Sequence, residues 1–166
     1  MIDVNADWER RIAELWATMD DYDEREFVAR VDALAAELPP GDATGLFERA
    51  GALDSTGHSD LAVPLYHAAL EAGLTGDRRR RAIIQMSSSL RNLGKAQDAV
   101  DMLAAELEAV SDDLDGAVRA FLALALVDVG REREAVAVAL AALSGYLPRY
   151  NRSVAAYAQQ LTSGGA

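Results

Sequence analysis

The chain contains no cysteine. Disulfides, thiolate nucleophiles and cysteine metal sites are therefore excluded, and nothing points to an oxidising compartment. Only two histidines are present, His58 and His67, nine residues apart. That spacing is not the His-x-x-x-His of a helical metal site, and two exposed histidines are the simpler reading. Aromatic residues make up 6% of the chain while Ala and Leu are abundant, which favours helix over strand. Apolar stretches such as Phe121 to Val127 are far too short to span a bilayer. The opening Met1-Ile2-Asp3-Val4-Asn5-Ala6-Asp7 lacks the basic start and apolar run of a signal peptide, so a cytoplasmic protein without a membrane partner is expected. Basic residues are also scarce, 16 against 27 acidic ones, for a net charge of −11. Such a balance repels phosphate backbones and sets nucleic acid aside as a partner.

Sites for chemistry are missing too. The runs Asp20-Asp21-Tyr22-Asp23-Glu24 and Asp112-Asp113-Leu114-Asp115-Gly116 lack the alternating ligands, central glycine and distal glutamate of a calcium loop. Acidic residues at helix N-termini explain both, because they complement the positive end of the helix dipole. Ser87, Ser88 and Ser89 have neither a glycine-rich elbow nor a neighbouring histidine. No phosphate-binding glycine loop occurs. Neither an enzymatic reaction nor a cofactor is expected.

What the sequence does contain is a repeat. Gly57-His58-Ser59-Asp60-Leu61-Ala62, Gly94-Lys95-Ala96-Gln97-Asp98-Ala99 and Gly130-Arg131-Glu132-Arg133-Glu134-Ala135 each place alanine five residues after glycine, and the glycines lie 37 and 36 residues apart. Four residues before each glycine is a leucine (Leu53, Leu90, Leu126), and seven before it a small residue (Ala50, Ser87, Ala123). Eight residues after each alanine comes another leucine (Leu70, Leu107, Leu143). Apolar residues before the glycine recur at helical spacing, as in Ile83, Met86, Leu90 and Leu93. A left-handed glycine ends that helix. Leu61, Val63, Leu65 and Ala69, or Val100, Leu103 and Leu107, then form a second amphipathic helix. Each unit is an antiparallel helix pair that must stack on its neighbours to bury its apolar faces. Leu53, Leu90 and Leu126 are expected in the core.

Flanking segments extend the pattern. Trp8, Ile12, Leu15 and Trp16, followed by Phe27, Val31, Leu34 and Leu38, read as a further amphipathic pair closed by Pro39-Pro40-Gly41. After Pro148, the residues Val154, Tyr157, Ala158 and Leu161 share one face of a last helix.

With its glycine-to-alanine turn, its small residue in the first helix and the Ala69-Leu70 pair, the chain resembles the tetratricopeptide repeat family. Its Arg-rich, Ser-Ser-Leu-Arg-Asn block is similar to that of short bacterial proteins in that family. The resemblance implies an all-α fold, a right-handed superhelix of stacked antiparallel helix pairs. It also implies a non-enzymatic role in protein–protein interaction. One domain over 1–162 is expected: a degenerate pair at 1–40, three repeats at 43–147, a capping helix at 148–162 and a frayed tail at 163–166.

The segment Asp77 to Gly94 is the first helix of the central repeat, and in the family first helices line a concave groove. The packing stripe leaves Arg81, Gln85, Ser88, Arg91 and Asn92 as a polar row. Ser87 falls in the small-residue column as a spacer, and Ser89 is intermediate. By the same register Phe47 and Asp54 would flank the row on one side, and Leu124 and Asp128 on the other. Four arginines at a helix start, Arg78 to Arg81, oppose the dipole. They pair with acids such as Glu48, Asp54, Glu71 or Glu106, or form a solvated face, or hold an anionic group of a partner. Arginine suits the last role through its planar, bidentate fork. The expected partner is then an acidic peptide or protein segment. A self-associating scaffold, a homodimer through Trp8, Trp16, Tyr146, Tyr150 and Tyr157, is the alternative, and a small enzyme or nucleic-acid binder is a third reading whose only support is the Arg78 to Arg81 cluster.

Overall fold

The computed structural model describes residues 4–109 and 111–163. Among them it contains nine α-helices, one short 3-10 turn and no strand. The chain divides into two compact units, Met1–Ala82 and Ile83–Ala166. The expected tail residues 164–166 lie outside the described residues, and Ser163 is the last residue of the final helix.

The first unit holds α1 (Val4–Ala17), α2 (Glu24–Ala35), α3 (Ala43–Ser55), α4 (Ser59–Glu71) and the start of α5 (Gly76–Asn92). Sequential neighbours pack: α1 on α2, α2 on α3, and α3 on α4. Trp8, Ile12 and Leu15 of α1 are buried with Phe27 and Val31 of α2 and Ala52 of α3. The Trp8 indole donates to the Leu34 carbonyl at 2.8 Å, so the ring is buried with its one polar group satisfied. Asp23 caps α2 by accepting from the Glu26 amide at 2.8 Å, which accounts for part of the acidic run. Asp42 caps α3 by accepting from the amides of Thr44 and Gly45.

The second unit holds the rest of α5, then α6 (Ala96–Ala109), α7 (Asp115–Asp128), α8 (Glu132–Ser144) and α9 (Asn151–Ser163). Here α6 packs on α7, α7 on α8 and α8 on α9. The second acidic run closes on itself ahead of α7: Asp112 accepts from the Leu114 amide at 2.8 Å, and Asp115 from the Ser111 hydroxyl at 2.8 Å.

The repeated leucine and glycine have one structural cause. Gly57, Gly94 and Gly130 adopt φ of +82°, +75° and +77°, a region that L side chains avoid. The amide of the next residue reaches back to the carbonyl of Leu53, Leu90 or Leu126, each time at 2.8 Å. The glycine amide bonds to Asp54, Arg91 or Val127 at 3.0, 2.9 and 3.0 Å. These are the paired 6→1 and 5→2 bonds of a Schellman cap, and they occupy carbonyls the helix end would leave unpaired. Ala62, Ala99 and Ala135 are buried, as are Ala50, Ser87 and Ala123. In these columns a larger side chain would hold the paired helices apart.

Several expectations need correction. Leu90 and Leu126 are core residues, but Leu53 is only half-buried. Leu61 and Leu93 are exposed, because the covered arc of each helix is narrower than the run of apolar residues. Ser89 is fully buried rather than intermediate. Trp8 is buried and Trp16 half-buried, so neither offers an aromatic end face.

Candidate functional site

In the first unit the arginines at the start of α5 meet different surroundings. Arg78 is an internal tie. Its two terminal nitrogens donate to Glu9 on α1 at 2.8 and 2.6 Å, and its Nε donates to Glu48 on α3 at 2.9 Å. Glu48 is buried, and its other oxygen accepts from the Trp16 indole at 2.7 Å. The Glu9 carboxylate foremost, with Glu48 behind it, holds the Arg78 guanidinium protonated more firmly than usual, against the effect of partial burial. A carboxylate so deep would be costly if either donor were absent; with both in place it joins three helices. Arg80 is itself buried, and Arg79 is half-buried.

Arg81 differs from these. Its side chain is 43% exposed, and its nearest carboxylate is the exposed Asp77 one turn back, at 3.6 Å. Its guanidinium carbon sits 5.3 Å from the centroid of the Phe47 ring, in cation–π geometry. Phe47, expected as a groove shoulder, is instead 1% exposed, and its ring stands 6.2 Å from that of the buried Tyr66. Burial pushes the Tyr66 phenol well above its ordinary range; the Asp54 carboxylate to which it donates adds to this, and Arg81 opposes it. Phe47, Asp54, Tyr66 and Arg81 are thus brought together, and Arg81 is the exposed member. Beside it lies a cavity of about 460 Å³ lined by Ala43, Thr44, Gly73, Leu74, Thr75, Asp77, Arg78 and Arg81.

The remaining residues of the expected row lie in the second unit. Arg91 donates through Nε to Asp128 on α7 at 2.7 Å and is mostly covered. The two residues expected to face a partner from adjacent first helices therefore pair with each other. Gln85 and Ser88 are half-buried, Asn92 is exposed and Leu124 is 48% exposed. Ser87 is fully buried, its hydroxyl donating to the Ile83 carbonyl at 2.8 Å, which suits a spacer that must hide its own polar atom.

The residue that reasoning from sequence missed here is Tyr66. It stands nine residues after its turn glycine, where the central repeat has the buried Leu103, so the register carried a signal for its burial. Glu9 carried none, since 69 residues separate it from Arg78 and no periodicity links them.

A family model described as Tetratrico peptide repeat matches residues 43–161 of the chain. No curated protein and no solved structure matches it. Among the described residues no helix is long and apolar enough to cross a membrane.

Proposed function

The chain belongs to the tetratricopeptide repeat family, whose repeats generally mediate protein–protein interaction, and we propose that it is a non-enzymatic module that binds an acidic peptide or protein segment through Arg81. The observation that carries this reading is the contrast among the arginines. Arg78 and Arg91 are held by carboxylates of the chain itself at 2.9 Å or less, whereas Arg81 presents an exposed guanidinium above an aromatic ring and beside an open cavity. The stacking fixes the plane of the guanidinium and leaves its donor edges for a carboxylate. Thr44 and Thr75 add hydroxyls to the cavity wall that can bond a peptide backbone. Asp77 on the same rim disfavours a partner rich in its own acids at every position, so the segment would carry isolated carboxylates.

The test is fluorescence anisotropy with a panel of peptides carrying one or two carboxylates, each paired with its amide counterpart (Glu to Gln, Asp to Asn). A charge-assisted hydrogen bond is worth about 1.5–3 kcal/mol, so Arg81→Glu should weaken binding by roughly ten- to a hundredfold. Arg91→Glu should change it far less. Equal binding of acid and amide peptides, or indifference to Arg81→Glu, refutes the assignment.

A further inference from the structure

The cavity beside Arg81 has three charged side chains in its wall, Asp77, Arg78 and Arg81. Its other lining residues, Thr44 and Thr75 among them, carry no charge. The charge of Arg78 is already engaged within the first unit, where both terminal nitrogens meet Glu9 and Nε meets the buried Glu48. Two carboxylates on one guanidinium leave no surplus of positive charge there. What the wall offers a ligand is therefore one cation and one anion, Arg81 and Asp77.

These two stand one helical turn apart on α5, on the same side of the helix. Their closest approach, Nη1 to Oδ2, is 3.6 Å, beyond hydrogen-bond length. Both side chains are open to water, Arg81 at 43% exposure and Asp77 at 69%. An exposed contact of that length contributes little to the fold and does not occupy the hydrogen-bonding capacity of either group. Asp77 lies in the first turn of α5, where the helix dipole accounts for an acidic residue. At the cavity it has a second effect, because an anion beside Arg81 offsets part of the attraction felt by a lone carboxylate. A ligand with a base next to its carboxylate turns that repulsion into a second attraction. The field of the whole chain acts in the same direction. At a net charge of −11 it repels a purely acidic segment and favours one that brings its own cation.

We infer that this cavity recognises an acid–base pair on the partner segment: Arg81 takes the carboxylate, Asp77 takes the ammonium or guanidinium group, and Asp77 thereby sets which acidic segments bind. The inference rests on the Arg81 reading above and adds the second half of the ligand. The spacing of Arg81 and Asp77 is matched by a Glu and a Lys four residues apart on a helix. The probes are three end-capped helical peptides that differ only at those two positions, which hold Glu and Lys, Glu and Gln, or Gln and Lys. Titrated by anisotropy against the full chain at low salt, the Glu/Lys peptide should bind about threefold more tightly than Glu/Gln, and Gln/Lys should bind most weakly. Asp77→Asn should tighten Glu/Gln and erase the advantage of Glu/Lys, while circular dichroism stays unchanged. Because the peptides are the same in both titrations, this separates recognition by Asp77 from any stabilisation of the peptide helix by its own ion pair. Asp60→Asn, at an exposed position on α4, makes the same change in net charge and should leave the advantage in place. The inference alone is overturned if Glu/Gln depends on Arg81 but gains nothing from Lys, if Gln/Lys binds as well as Glu/Lys, or if Asp60→Asn removes the advantage as fully as Asp77→Asn. If Arg81→Glu leaves the Glu/Gln peptide bound as before, the underlying reading fails and this inference fails with it.

Discussion

Trp8, Phe27, Phe47 and Tyr66 of the first unit are buried, and Trp16 and Tyr22 are half-buried, while Tyr146, Tyr150 and Tyr157 of the second unit are all more than half exposed. The second unit fills its interior with Ala, Leu, Val, Ile and Met instead. Both units bury a carboxylate, Glu48 in the first and Glu106 in the second, so the units differ in their rings rather than in buried charge. In the first unit a buried carboxylate, Glu48, lies among the helices, and indole and guanidinium groups are there to meet it. Aromatic side chains with a polar tip serve that purpose, because they contribute a large apolar area and still offer a donor. In the second unit no ring is fully buried among the described residues, Phe121 is half-buried, and the tyrosines stand exposed. Tyr150 does so from a backbone at φ +65°, a conformation that a bulky residue rarely adopts. The same helix-pair plan is therefore packed with rings in one unit and with aliphatic side chains in the other, while both keep ion pairs between helices, Arg78 with Glu48 in the first and Arg91 with Asp128 in the second.

The sharpest way to break this contrast is to truncate one ring from each unit. Trp8→Ala should destabilise the chain by about 3–5 kcal/mol in urea unfolding, whereas Tyr157→Ala should stay within about 0.5 kcal/mol. Similar losses from both would mean that the outward tyrosines are structural after all. A smaller effect sharpens the polar side of the comparison. Glu48→Ala leaves the Trp16 indole and the Arg78 Nε without their acceptor, and should cost about 2–3 kcal/mol. Trp16 fluorescence in the folded variant should shift as its indole loses that bond. The smallest effect appears only in alkali. The Tyr66 phenol is raised above its unfolded value of 10.0, chiefly by burial. The native chain therefore keeps a proton that the unfolded chain releases, so this contribution is complete below pH 10 and is lost as the pH rises from there toward the folded value. Stability should fall by at most about 1.4 kcal/mol per pH unit above pH 10 on this account, and Tyr66→Phe should remove that slope.

Residues related by a short period were readable from sequence, and those related across helices were not. The turn glycines, their preceding leucines and the buried alanines are fixed by bonds and contacts within one hairpin, so each copy displays the same local requirement. Helical spacing also found most of the core, including Ile83, Met86, Leu90, Val100 and Leu103. It could not tell how wide the covered arc of each helix is, which is why Leu61 and Leu93 are exposed. The candidate site was harder to read. Spacing placed Arg81 and Arg91 on one row but could not foresee that Asp128 would meet Arg91, or that Glu9 and Glu48 would converge on Arg78. Charged partners on different helices are selected by the distance between backbones, and a single sequence does not carry that distance.

The three capped turns have a wider consequence. Each of these three reversals is closed by bonds that begin and end within a single hexapeptide, from leucine to the residue after glycine. A joint of this kind brings its own angle and borrows nothing from distant parts of the polypeptide. The hexapeptides should thus behave as exchangeable hinges, and the chain could be lengthened or shortened by whole hairpins at these joints without the angle of the neighbouring ones having to be learned anew.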